Sequence, residues 1–154
     1  MTTPSRSTRS KRRGRPKNET LYTFYQIQIT GWEFGWSFSL VTSQDEWKKA
    51  GYFDEFSTLT LKGRVCMPEN FKYPEVTLDL MSDYELRQSA SRPNGIGSMS
   101  ASEGQLRGFI CIPSTGIASL LSIVNSLASI EIIGTPLRYR KGRISSISIG
   151  TILE

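Results

Sequence analysis

The chain has 154 residues, 38% of them hydrophobic, with two cysteines, no histidine and a formal net charge of +5. Without histidine, most zinc sites, the Ser-His-Asp and Cys-His nucleophile systems and the commonest general base are excluded. The charge is unevenly placed: residues 1–20 hold seven basic side chains against Glu19, net +6, whereas the other 12 basic and 13 acidic side chains leave the remainder at −1.

Residues 1–20 are Ser, Thr, Arg, Lys and Pro with no apolar residue but Met1. Such a segment buries too little surface to offset its ordering entropy, so a disordered basic tail precedes a single domain over 21–154. No apolar run follows the basic stretch, so no signal peptide is expected and the protein reads as cytoplasmic.

The domain opens on two period-2 segments. Leu21, Thr23, Tyr25, Ile27 and Ile29 share one face of the first; Trp32, Phe34, Trp36 and Phe38 share one face of the second. Ser43-Gln44-Asp45-Glu46 has the form of a capping box, predicting a short helix from Asp45 to Ala50 closed by Gly51. Strands follow over 57–67 and 75–81, with Pro68 and Pro74 bounding the loop between them. Residues 87–107 are rich in Ser, Gly, Arg and Asn and read as a long loop, functional or loosely held. After a strand at 108–112, Ser114 or Thr115 caps a helix with Ile117, Leu120, Leu121, Val124 and Leu127 on one stripe. That stripe, with the polar residues opposite it, marks the uncharged run 108–130 as strand plus amphipathic helix, not a membrane span.

Three strands finish the chain: 130–133, 137–140 and 143–153, the last two joined at Lys141-Gly142. Ile144 is out of phase with Ile147 and Ile149, which predicts a β-bulge at Ser145-Ser146. The expected fold is mainly β: an antiparallel sandwich or partly open barrel of about eight strands with one amphipathic helix.

The tail carries Lys11-Arg12-Arg13-Gly14-Arg15-Pro16-Lys17, and its centre resembles an AT-hook, a short DNA-binding motif built around Gly-Arg-Pro. Gly14 lets the backbone lie deep in a narrow groove and Pro16 keeps the chain extended. Arg13 and Arg15 then suit the negative potential of an A·T-rich minor groove. A generic basic tail contacting any polyanion is the alternative. A second basic cluster is Arg138, Arg140, Lys141 and Arg143 around Tyr139. It reads as a charged hairpin tip that blocks edge pairing, or as a phosphate-contacting ridge.

The Trp32/Phe34/Trp36/Phe38 stripe reads as half of a sandwich core in preference to a stacking platform for bases or sugars. Cys66 and Cys111 sit in apolar runs and read as reduced core residues. Asp79, Asp83 and Glu85 are close enough in sequence for a metal site or an acid/base pair, but a solvated loop after a strand explains them equally well and no partner ligands can be named. With no phosphate-binding loop and no nucleophile motif, neither catalytic residues, metal ligands nor cofactors are expected.

The body also resembles a group of uncharacterised small bacterial β-rich proteins. The matching pieces are Gly108-Phe109-Ile110-Cys111-Ile112-Pro113 with the helix after it, Leu137-Arg138-Tyr139-Arg140 leading to Ile144-Ser145-Ser146-Ile147-Ser148, and the strand of Leu59, Leu61 and Gly63. The resemblance implies no activity. The expectation is a nonenzymatic nucleic-acid-associating protein whose tail contacts DNA and whose β domain is a scaffold or binds an unidentified protein partner. The alternative is a coat-like, self-assembling domain whose basic arm packages nucleic acid.

Overall fold

The computed structural model describes residues 21–41, 52–82 and 92–151. The basic tail, the expected helix from Asp45 to Ala50, Asp83 and Glu85 lie outside the described residues. Within them are seven strands, β1 (Thr23–Leu40), β2 (Phe53–Met67), β3 (Glu75–Ser82), β4 (Gly97–Ser102), β5 (Gln105–Ile112), β6 (Leu127–Gly134) and β7 (Lys141–Thr151), and one α-helix, α1 (Ser114–Ser122).

Pairing runs β1–β2–β3–β5–β4–β7–β6 and returns to β1, so the ring of strands closes. Every pair is antiparallel except β3 with β5. The seam is uneven: β4 meets β7 over four residue pairs, from Gly97↔Ile144 to Ser100↔Lys141. The result is an irregular barrel, mainly β as the alternation of the sequence implies.

The inner face is filled by side chains, as a small barrel requires. Tyr25, Ile27, Leu59, Leu61, Leu78, Leu80, Leu106, Ile110, Ile130, Ile132 and Ile144 are all essentially inaccessible. At one end Tyr25 meets Phe71 edge to face, and Phe71 meets Tyr73 the same way. At the other end α1 and the 3-10 turn Val124–Ser126 close the barrel with Ile117 and Val124. The residues of the expected stripe do face the core, but the helix stops at Ser122: Val124 lies in the 3-10 turn and Leu127 opens β6. The helix cap differs too: Pro113 holds the N-cap position, its carbonyl accepting from the Gly116 amide at 2.8 Å, and Ser114 and Thr115 are already helical.

Four phase slips mark the described barrel, one of them at Ala128 in β6, between Leu127↔Thr151 and Ser129↔Gly150. In β7, Ile133 pairs with Ser146 and Gly134 with Ile144, leaving Ser145 as the extra residue of the expected bulge. In β1, Ile29 pairs with Gly63 and Gly31 with Lys62, leaving Thr30 unpaired. The two expected strands are therefore one 18-residue strand, and the bulge brings the Tyr25–Ile27–Ile29 set and the Trp32–Phe34–Trp36–Phe38 set onto the same face. Gly63 is needed beside this slip: a Cβ there would lie 2.5 Å from the Gln28 carbonyl oxygen. In β2, Gln26 pairs with Met67 and Ile27 with Val65, so Cys66 is the odd residue and turns outward. Cys66 is an exposed free thiol, not a core residue; Cys111 is half-buried.

From Gly97 onward the expected loop over 87–107 is largely strand. Gly97–Ser102 is β4, with Met99 and Ala101 inward, and β5 begins at Gln105 after a turn at Glu103-Gly104. The Gly/Ser content hid a strand whose inward positions are only one large and one small residue.

Candidate nucleic-acid interface

The expected strand at 137–140 is a turn instead. Arg138 and Lys141 form an isolated antiparallel bridge, each amide donating to the other's carbonyl at 2.8 and 2.9 Å. The two residues between them, Tyr139 and Arg140, have φ of 50° and 63°. Two consecutive positive φ values are the signature of a type I′ hairpin turn, which favours Asn-Gly and strains L side chains. The reversal thus falls two residues before the predicted Lys141-Gly142. Gly142 serves packing rather than turning, since a Cβ on it would lie 3.0 Å from the Thr135 carbonyl oxygen.

This geometry gathers the second basic cluster. Side chains of directly paired residues project to the same face, so Arg138 and Lys141 stand together. Gly142 and Ile144 point inward, leaving Arg143 outward beside Lys141, and Arg140 occupies the turn. Lys141 pairs with Ser100, and Ser100 with Arg107. Arg107 therefore joins the patch from two strands away, about 10 Å along the ladder. In the next row, Arg143 pairs with Ser98 and Ser98 with Phe109, which is 43% exposed. The outer face of β5, β4 and β7 thus carries Arg107, Arg138, Arg140, Lys141 and Arg143 around small serines and one open aromatic ring.

The sequence alone does not connect Arg107 and Phe109 with this cluster, because their relation to Lys141 and Arg143 exists only through β4. On β2 the cations are compensated: Lys62 pairs with Glu33, and Arg64 with Glu75 at 3.0 Å. Among the described residues the five basic side chains of this patch make no ion pair. Glu103, in the β4–β5 turn, and Asp79, whose Oδ1 accepts from Thr60 Oγ1 at 2.7 Å, border it.

The patch lies where the tail departs. Thr23 pairs with Gly134, and Gly134 with Ile144. The start of β1 is therefore two strands from the β7 row adjoining Arg143. Thr23 is six positions after Lys17, a reach of at most about 22 Å. Lys11, Arg12, Arg13, Gly14, Arg15, Pro16 and Lys17 themselves lie outside the described residues.

The aromatic stripe is the largest departure from expectation. Trp32, Phe34, Trp36 and Phe38 are 41–59% exposed and do not form a core. The reason is topological. β6 leaves β1 after Gln28, and β3 leaves β2 at Thr58. From Ile29 to Gly35 β1 is an edge strand beside β2, which β3 still flanks as far as Thr58, and beyond Gly35↔Thr58 the two continue as a two-stranded arm, paired out to Leu40↔Phe53. The face that is interior in the barrel opens to solvent along the arm. Trp36 and Phe38 stack at 6.2 Å, Phe38 and Phe53 at 5.4 Å, and Trp36 Nε1 donates to Glu55 Oε1 at 2.9 Å.

No group of three or more His, Cys, Asp or Glu side chains among the described residues is placed to hold a metal ion. No helix among them is long and apolar enough to cross a membrane. The uncharged run 108–130 divides into β5, α1, the 3-10 turn and β6. Fold and site define a small irregular β-barrel with one basic outer face and one aromatic arm. No known protein family, curated protein or solved structure matches the chain.

Proposed function

We propose that this is a nonenzymatic nucleic-acid-associating protein, with a cytoplasmic setting, in which the tail and the β5–β4–β7 face grip one polyanion. The observation that carries the reading is the turn at Tyr139-Arg140. Two L residues hold left-handed backbone at a cost of roughly 1–2 kcal/mol each, where Asn-Gly would relieve the strain. Tyr139 is 99% exposed and packs on nothing that would repay that cost. Backbone strain that stability does not explain points to function, and a stacking ring beside uncompensated cations suits phosphate and base contact. Arg13, Gly14, Arg15 and Pro16 favour an A·T-rich minor groove as the tail's target.

Binding of the full chain to duplex and single-stranded DNA, measured by fluorescence anisotropy at several salt concentrations, tests the reading. Each lost phosphate contact lowers the salt slope by about 0.7 to 0.9. Alanine at Arg138, Arg140, Lys141 and Arg143 together is expected to weaken binding and flatten that slope, and deletion of residues 1–20 to do so further. Unchanged affinity in both variants sinks the proposal. Equal affinity for A·T-rich and G·C-rich duplexes removes the minor-groove assignment alone. The second reading, a coat-like assembling domain whose basic arm packages nucleic acid, is favoured by one observation, the open aromatic arm.

A further inference from the structure

The arm is unguarded in two respects. Its aromatic face is solvent-exposed, and β1 beyond Gln28 has no neighbour on its second edge among the described residues. Natural edge strands are protected by Lys, Pro or inward charges. Residues 31–40 contain no Lys and no Pro, and their one charge, Glu33, is already paired with Lys62. A two-stranded ribbon is marginal in water without a covering layer.

We infer that the aromatic face of this arm is a self-association surface, covered by the same face of a second copy of the chain in an antiparallel, two-fold arrangement. Area is the first argument. Trp32, Phe34, Trp36, Phe38, Leu40 and Phe53 share the face and are 41–66% exposed. At on the order of 200 Å² per large side chain, they leave roughly 600 Å² of apolar surface open. That is the upper end of what a monomer shows. Two such faces packed together remove about 1,200 Å², the threshold of a specific interface.

Charge is the second argument. Residues 31–40 and 53–62 carry Glu33, Asp54 and Glu55 against Lys62, the wrong sign for nucleic acid or anionic lipid. Among the described residues the only charge on the aromatic face is Glu55, whose carboxylate already accepts from Trp36 Nε1. The face therefore needs no charged complement. Symmetry is the third. Aromatics at 32, 34, 36 and 38 are evenly spaced, so the ridge of one copy fits the furrows of an antiparallel partner. The tip of each arm then lies over the base of the other, and the two Glu55 carboxylates stay apart. Such an isologous contact closes on itself.

Sedimentation velocity of the full, nuclease-treated chain tests the inference between about 1 and 100 µM, where mass action resolves dissociation. The expected species at the upper end has twice the 17.3 kDa chain mass. Trp36→Ser with Phe38→Ser, both outside the barrel core, should raise the dissociation constant at least about tenfold, as hot-spot truncation does. The urea midpoint of the barrel serves as the folding control. A wild-type chain that stays monomeric throughout overturns the inference, whether or not it binds vesicles of neutral lipid. So does a dimer of a correctly folded double variant with wild-type affinity. DNA affinity is read separately and does not decide this outcome.

Discussion

Arg138 and Lys141 face each other across a two-residue turn, so two like charges occupy directly opposed positions on one surface of the barrel. Opposed like charges destabilise a strand pair by a few tenths of a kcal/mol or more. The turn between them adds positive φ at Tyr139 and Arg140. This corner is therefore built against its own stability, and stability and binding should move in opposite directions when it is changed.

Replacing Tyr139-Arg140 by Asn-Gly is expected to raise stability by about 1–2 kcal/mol while weakening DNA binding. Urea denaturation and anisotropy titration on the same preparation check both halves. A variant that is more stable and binds as well as wild type would show that the strained turn has no part in the contact.

Arg107→Ala should leave the urea midpoint within about 0.5 kcal/mol of wild type, as an exposed substitution does. Its salt slope for DNA should drop by about 0.9 if the side chain meets a duplex phosphate. An unchanged slope would confine the interface to β7 and its turn.

Truncations along the β1–β2 ladder should diverge sharply. Leu61, paired with Trp32, is 1% exposed, whereas Phe38, six residues further out on β1, is 57% exposed. Leu61→Ala is expected to cost about 2–5 kcal/mol through loss of burial and a residual cavity. Phe38→Ala, measured where the chain is monomeric, should cost less than about 1 kcal/mol. Similar costs at the two positions would mean that the arm is as tightly packed as the barrel.

Burial holds the Tyr25 phenol above the ordinary tyrosine value of 10.0, outweighing the hydrogen bond with Thr23 that pulls the other way. A pKa raised on folding contributes stability that is complete below the unfolded value and is lost as pH rises through the folded one. Wild-type stability is therefore expected to fall above about pH 10 more steeply than that of Tyr25→Phe, which has no phenol to ionise. Parallel curves for the two proteins in thermal melts from pH 8 to pH 11 would contradict this.

The strands were legible because one side of nearly all of them faces a single core, which imposes period 2. Two slips of phase illustrate where that signal runs out. At Ser145 the slip sits between isoleucines and reads as a bulge. At Thr30 the same slip lies beside Gly31, a common strand terminator, and one strand reads as two. Trp32, Phe34, Trp36 and Phe38 then look like core, because alternation reports that a face is apolar and not what covers it. Ring closure decides that, and closure depends on where β6 and β3 stop pairing. The basic patch was half legible for a related reason. Arg138, Arg140, Lys141 and Arg143 are neighbours in the chain, whereas Arg107 reaches them only across β4, whose Gly-Ser-Met-Ser-Ala-Ser sequence carries little strand signal.

β1 runs from the corner where the tail departs to the tip of the arm, 18 residues in one strand. At about 3.3 Å per residue that is a strut of roughly 60 Å. Two chains clasped arm to arm would point their cationic corners away from each other, too far apart to grip the same few base pairs. Such a pair is a spacer with two hands: it would bridge separate duplexes, or distant stretches of one, and compact them instead of reading a single site.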